Sequence, residues 1–274
     1  MNQIENDFIE FLAQRNGEPV DSVRRRYLAA KEYMNFGSKE YSRHEDENYY
    51  TLQMFFNDQN DKNLFESYRY YAYPDILRML SYSFPAIPTR KGYFKTFIRA
   101  LKKGDLTKIT SYLKRKTTQD PKISTADKLL NGYESPTILD YGCGLGHLSF
   151  EMAQKSPLSK IILVDLDTVK LDFTEYRFKK HGIKFEVLRI KEGNQYPTLP
   201  PHTICIATDV LEHLHKPLLA YGHIHDSMEE GGLLYGNFED HHHGMYHTHP
   251  DMSDIREAIA KDYDVLGEGF YRKR

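Results

Sequence analysis

Two strand-end acids, an acid-glycine loop and a crowd of histidines are the residues of this chain whose types and spacing can do chemistry. Ile138-Leu139-Asp140-Tyr141-Gly142-Cys143-Gly144-Leu145-Gly146-His147 ends an apolar run in a carboxylate and then sets glycine at every second position. Such a turn lets a ligand come close to the backbone, because no Cβ stands in the way. The dinucleotide version, G-x-G-x-x-G, needs glycine at position 147, where this chain has histidine. That version also aims a helix N-terminus at a pyrophosphate, and the Asp140 carboxylate beside the loop would repel such a dianion. A second acid, Asp165, closes the next apolar run, Lys160-Ile161-Ile162-Leu163-Val164-Asp165, 19 residues after Gly146. In doubly wound folds an acid at this place hydrogen-bonds ribose hydroxyls.

Two carboxylates around an open glycine loop suit a nucleoside that is cationic and carries no phosphate. S-adenosylmethionine (SAM) has an ammonium, a sulfonium and a ribose, so it is the expected cofactor; a dinucleotide and a purely structural loop are the competing readings. In this arrangement Asp140 faces the methionyl ammonium, and Gly142, Cys143, Gly144 and Gly146 supply the backbone cradle. Asp165 holds the ribose and Leu166 packs on the adenine, with Glu192 a further candidate for the adenine end. The motif Asp140-Tyr-Gly142-Cys-Gly144-Leu-Gly146 followed by Asp165 resembles that of the class I SAM-dependent methyltransferases. The resemblance covers roughly residues 134–260 and implies a Rossmann-like sheet and methyl transfer.

A second constellation lies at the end of the fourth strand the pattern predicts, Ala207-Thr208-Asp209-Val210-Leu211-Glu212-His213-Leu214. Ligands of open α/β sheets bind outside the carboxyl ends of the strands. If a helix begins here, positions i, i+3 and i+4 share a face, and Asp209, Glu212 and His213 converge. Two carboxylates and an imidazole suit Mg²⁺ or Mn²⁺. Ten of the 13 histidines lie between 202 and 249, five of them in His241-His242-His243-Gly244-Met245-Tyr246-His247-Thr248-His249. This segment follows the fifth predicted strand and should emerge at the same edge, where His242 can add a ligand or a base. Asp209-x-x-Glu212-His213 resembles the E-x-x-E-H segment of the ubiquinone-biosynthesis O-methyltransferases, whose acids and histidine hold a divalent metal. A similar motif of the plant small-RNA 2′-O-methyltransferase is completed by a later histidine. This chain departs in having aspartate, one methylene shorter, at the first position. The resemblance implies metal ligands at Asp209, Glu212, His213 and a later histidine such as His242. Methyl transfer also needs the acceptor's proton removed, for which Glu212, His213 and His242 are the catalytic candidates. Asp209 is a further candidate for a cofactor contact.

Helices and strands must position these groups. From the first strand at Pro136 onward the chain alternates strand and helix, which argues for a mostly parallel, doubly wound α/β sheet. Strands are expected at 136–141, 161–165, 184–190, 203–208 and 232–237, helices at 147–155, 168–181, 217–228 and 252–260, and a closing hairpin at 263–266 and 269–272. Residues 1–130 read as a helical N-terminal region serving as a substrate lid or docking module, and 131–274 as the SAM-binding core. Ile4, Phe8, Phe11 and Leu12 mark a first helix stopped by Gly17, and Asp21 is placed as the cap of a second. Tyrosine-rich helices are expected at 64–83. Ten Lys/Arg against one acid between Arg90 and Lys116 suit a solvated helix face or an anionic partner.

Composition narrows the class. With 274 residues, 40% hydrophobic content and a net charge of −2, the chain can bury a proper core and is neither disordered nor polybasic. No apolar run approaches the roughly 20 residues needed to span a bilayer, and Met1-Asn2-Gln3-Ile4-Glu5-Asn6-Asp7 lacks a signal-peptide layout. Two cysteines give neither a disulfide framework nor a zinc pattern. A cytoplasmic O-methyltransferase acting on a small-molecule hydroxyl is the leading expectation. RNA 2′-O-methylation and a non-catalytic SAM-binding interaction protein are the alternatives.

Overall fold

A computed structural model of the chain describes residues 1–33, 124–191, 194–240, 249, 251–267 and 269–274. The tyrosine-rich segment, the basic run at 90–116, Glu192 and His241 to His243 lie outside the described residues. After helices α1 (Gln3–Asn16), α2 (Val20–Tyr33) and α3 (Thr125–Leu130), the described chain alternates as the pattern requires. Strand β1 (Thr137–Tyr141) leads through α4 (His147–Lys155) to β2 (Lys160–Leu166), and α5 (Val169–Lys180) leads to β3 (Phe185–Ile190). Strand β4 (His202–Ala207) is followed by α6 (Pro217–Ser227), β5 (Met228–Gly236), α7 (Ser253–Asp262) and the hairpin β6 (Tyr263–Gly267) and β7 (Phe270–Lys273).

Among the described residues the sheet has seven strands in the order β3-β2-β1-β4-β5-β7-β6. Strands β1 to β5 pair in parallel, and β7 is antiparallel to both β5 and β6. The order reverses between β1 and β4, whose Asp140 and Ile206 are in register, so the crevice for a ligand opens above that pair. This is the Rossmann-like architecture of class I methyltransferases, as the resemblance implied.

Alternate residues of each strand point to opposite faces, and both faces are covered. Ile138, Ile161, Leu163, Ile204 and Ile206 pack with α3, α4 and α5, whereas Leu139, Ile162, Val164, Cys205 and Leu234 pack with α6 and α7. Two-sided burial is why these strands read as continuous apolar runs.

Some boundaries differ from expectation. Helix α2 opens at Val20 behind Pro19, whose carbonyl accepts from the Ser22 and Val23 N–H groups, so Asp21 sits in the first turn and is not the cap. Strand β5 starts at Met228, directly after α6, and absorbs the early entry by a register shift opposite His202 and Ile204. Helix α1 is closed by an Asn2–Glu5 capping box and by Gly17 in the left-handed region. Its Ile4, Phe8 and Phe11 share an apolar cluster with Phe173 of α5 and with Leu145 of the glycine loop. No described helix is long and apolar enough to cross a membrane.

Candidate active site

The glycine loop is fixed by its own backbone and by the elements on either side. The Gly142 and Cys143 N–H groups both donate to the Val164 carbonyl, at 2.8 and 3.1 Å, tying the loop to the end of β2. Gly142, Gly144 and Gly146 all have φ between 53° and 70°, where an L side chain is strained. A Cβ on Gly142 would lie 2.8 Å from the Val210 Cβ and closer still to its Cγ2, so the turn after β4 closes on the loop. A Cβ on Gly146 would press on Phe178 and Thr174 of α5 at 3.0 Å. These two glycines therefore serve the packing of the loop against the β4 exit and α5.

Both strand-end acids reach this loop. Asp165 accepts from the Gly144 N–H at 2.6 Å through Oδ2 and from the Leu166 N–H at 2.7 Å through Oδ1. Asp140 accepts from the Ser149 hydroxyl at 2.5 Å. Burial pushes the Asp140 carboxyl up to about 7, the Asp165 charge adds to the rise, and the Ser149 hydrogen bond opposes it. Burial, then the charges of Asp165 and Asp140, also push the Cys143 thiol well up, so it remains a neutral loop residue and not a nucleophile. A glycine loop flanked by two carboxylates, one of them raised by burial, fits a cationic nucleoside such as SAM. The ammonium of such a ligand would supply the charge that Asp140 lacks. Leu166 is half-buried beside Asp165 at the end of β2.

Beyond the loop lies a cleft of about 1030 Å³. Thr208 and Asp209 line it from the end of β4, Gly236, Asn237 and Phe238 from the end of β5, and His147 from the first turn of α4. His147 is pulled down to about 4 by burial, with the Arg177 charge contributing, so it faces the cleft as neutral imidazole. The segment expected to be a helix from Asp209 is instead a single 3₁₀ turn, Leu211–His213, and the α-helix begins only at Pro217. Asp209 leaves β4 at φ 50°, exposed to the cleft. Its N–H donates to Asn237 Oδ1 at 2.8 Å, and the Asn237 amide donates back to its carboxylate. Glu212 is 1% exposed beneath the turn. The helical spacing that would have put Asp209, Glu212 and His213 on one face is therefore absent.

Among the described residues, no three His, Cys, Asp or Glu side chains come together as a metal would require. The turn does meet the far end of the histidine-rich segment: the His249 N–H donates to the Glu212 carbonyl at 3.0 Å. Whether His242 joins Glu212 and His213 lies outside the described residues. The sequence reading missed Ser149, Asn237, Thr174 and Arg177. Asn237 was open to discovery by the rule that singled out Asp209, since it is the first polar residue past the carboxyl end of β5. Thr174 and Arg177 carried no signal, because helix-surface residues acquire their partners only when α5 packs.

Residues 134–261 match a family described as a methyltransferase domain. A 61-residue stretch is 38% identical to the ribosomal RNA small subunit methyltransferase C of Acinetobacter baylyi; it amounts to 22% of this chain and 18% of that protein. Among solved structures, TehB from Haemophilus influenzae is similar at a TM-score of 0.43 and 14% identity, over 57% of this chain and 56% of the other. Coclaurine N-methyltransferase bound to N-methylheliamine and S-adenosylhomocysteine (SAH) is similar at 0.36 and 19% identity, over 40% and 33%.

Proposed function

We propose that the protein is a SAM-dependent methyltransferase whose acceptor is the hydroxyl of a small molecule, such as a sugar or a phenol. One observation carries the reading: Asp140 and Asp165 stand on either side of a glycine loop, and the residue that follows it, His147, lines a cleft large enough for an acceptor. Bound there, SAM would supply an electrophilic methyl group. Gly142 to Gly146 would hold its methionyl part, Asp140 its ammonium and Asp165 its ribose. Methyl transfer is in-line, so the protein's task is to hold the acceptor oxygen at attack distance from sulfur and to accept its proton. Asp209 at the cleft and His213 in the turn that follows it, with His242 a further candidate, are the groups assigned to the proton. Glu212 supports the turn that carries His213.

Calorimetry with SAH is the first test: saturable binding is expected, and no heat with SAH alongside saturation by a nicotinamide or flavin nucleotide would end the proposal. Transfer from radiolabelled SAM to phenols and sugars, with and without chelator, follows. Turnover that survives chelator fits the proton transfer just given. Turnover lost in chelator and restored by Mg²⁺ or Mn²⁺ would add the ion of the ubiquinone type at Glu212 and His213.

A second reading is RNA 2′-O-methylation; the 61-residue likeness to a ribosomal RNA methyltransferase supports RNA as the acceptor and does not bear on the atom methylated. It requires RNA binding that weakens steeply with salt. Binding that is absent, or insensitive to salt, leaves the small-molecule reading.

A further inference from the structure

Helix α5 holds the outer side of the glycine loop by two side chains in consecutive turns. The Thr174 hydroxyl donates to the Gly144 carbonyl at 2.7 Å, and the Arg177 guanidinium donates to the Leu145 carbonyl at 3.2 Å. These carbonyls belong to Gly144 and Leu145, in a loop whose Gly142, Cys143, Gly144 and Gly146 N–H groups are committed elsewhere. Arg177 is 7% exposed and lies over the Phe150 ring of α4, 3.7 Å from its centroid. A buried guanidinium needs a counter-charge. That charge comes from α1: Asp7, 2% exposed, stands 3.9 Å from Arg177 and also pairs with Lys180 at 2.8 Å and His181 at 2.9 Å. The same helix places Phe8 edge-on to Phe173 at 5.1 Å, in the apolar cluster that encloses Leu145.

We infer that Arg177 is a positioning residue for the cofactor loop, and that α1 belongs to the cofactor site through it. The inference rests on reading residues 140–146 as that loop. Arg177 and Thr174 fix the two carbonyls from behind, so the open face of the loop keeps its shape for the ligand. Asp7 offsets the buried guanidinium charge from 3.9 Å, and Leu145 is the apolar foot by which the loop stands on α1. Preorganisation of this kind raises affinity by removing the ordering cost that the ligand would otherwise meet.

The test compares four variants of the full chain by SAH calorimetry and by hydrogen exchange at the amides of residues 142–146. Arg177→Met removes donor and charge, Arg177→Lys keeps a donor, and Thr174→Val removes the neighbouring donor at equal shape. Ile259→Val in α7, on the other face of the sheet, is the packing control. SAH binding is expected to weaken about tenfold in Arg177→Met, the loss of one charged hydrogen bond, and to recover in part in Arg177→Lys. Loop amides should exchange faster in Arg177→Met and Thr174→Val and stay as in wild type in Ile259→Val. Wild-type affinity and loop exchange in Arg177→Met would overturn the inference, as would an equal loss in Ile259→Val. If Arg177→Met does not fold, Arg177→Lys and Thr174→Val decide by the same two readouts. Should wild type fail to bind SAH, the cofactor reading falls by itself, and the exchange pattern still decides whether Arg177 orders the loop.

Discussion

The two ends of the crevice are built differently. At the β1–β2 end the loop is held by glycines in the left-handed region, by N–H groups on Val164 and Asp165, and by carbonyls on Thr174 and Arg177. At the β4–β5 end, one Asp–Asn pair spans two strand exits, and a single 3₁₀ turn carries Glu212 and His213. A rigid end suits a ligand that never varies, and a looser end suits an acceptor that differs from protein to protein. On the proposed reading the contrast divides the labour: the fold dictates the cofactor's seat, and the exits of β4 and β5 choose the acceptor.

The largest effect that can break this contrast comes from Gly142→Ala. The added methyl meets Val210 at a distance no real Cβ tolerates, and φ 70° adds about 1–2 kcal/mol of strain. SAH affinity should fall on the order of a hundredfold, each tenfold being about 1.4 kcal/mol. Affinity within a few-fold of wild type, measured by calorimetry, would mean that the loop is not the seat. Asp165→Ala comes next. It strips two N–H groups, those of Gly144 and Leu166, of their acceptor, at about 1–3 kcal/mol for each that stays buried. A lower Tm and SAH binding weakened by about ten- to a hundredfold are expected.

The third effect is pH-dependent. The Asp140 carboxyl loses its proton near 3.8 when unfolded and near 7 when folded, because burial and Asp165 disfavour its charge. The folded protein thus holds the extra proton between these values. Stability from this group is full below about 4 and is lost as the pH rises towards 7. A cationic ligand reverses the balance, since its ammonium favours the ionised carboxylate. SAH binding should therefore release a proton, visible as a buffer-dependent heat, and tighten as the pH climbs through 7. Asp140→Asn should abolish both dependences. Binding that is flat across this range in wild type would place the ammonium elsewhere.

How much of this was readable in the chain follows from the same contrast. The loop was legible because its requirements are local: glycine at three alternate positions and acids at two strand ends leave few alternatives. Strand and helix positions were legible because two-sided burial writes apolar runs into β1, β2 and β4. The exit of β4 was not. Helical spacing was assumed for Asp209, Glu212 and His213, and the chain turns there through a left-handed Asp209 that takes its hydrogen bonds from Asn237, 28 residues away. A conformation set by a distant side chain leaves no periodic trace. The same holds for Arg177, whose partners Asp7 and Leu145 come from two other elements.

The smallest expected effect sharpens the contrast most. Asn237→Ala frees the Asp209 N–H and carboxylate together, so Asp209 can relax from φ 50° towards the ordinary strand region. The exchanged hydrogen bonds are exposed, so stability should change by no more than about 1 kcal/mol. Asn237 lines the cleft from β5, whereas the loop's hydrogen-bond partners come from β2 and α5. SAH affinity should stay within about twofold of wild type, a difference worth less than half a kcal/mol. Transfer to an accepted phenol or sugar should fall, because the carboxylate that meets the acceptor is no longer held. Calorimetry and a radiolabelled-SAM assay on the same preparation separate the two. A loss of SAH affinity as large as that of Asp165→Ala would show that the two ends of the crevice act as one seat, and the division between cofactor and acceptor would have to be drawn elsewhere.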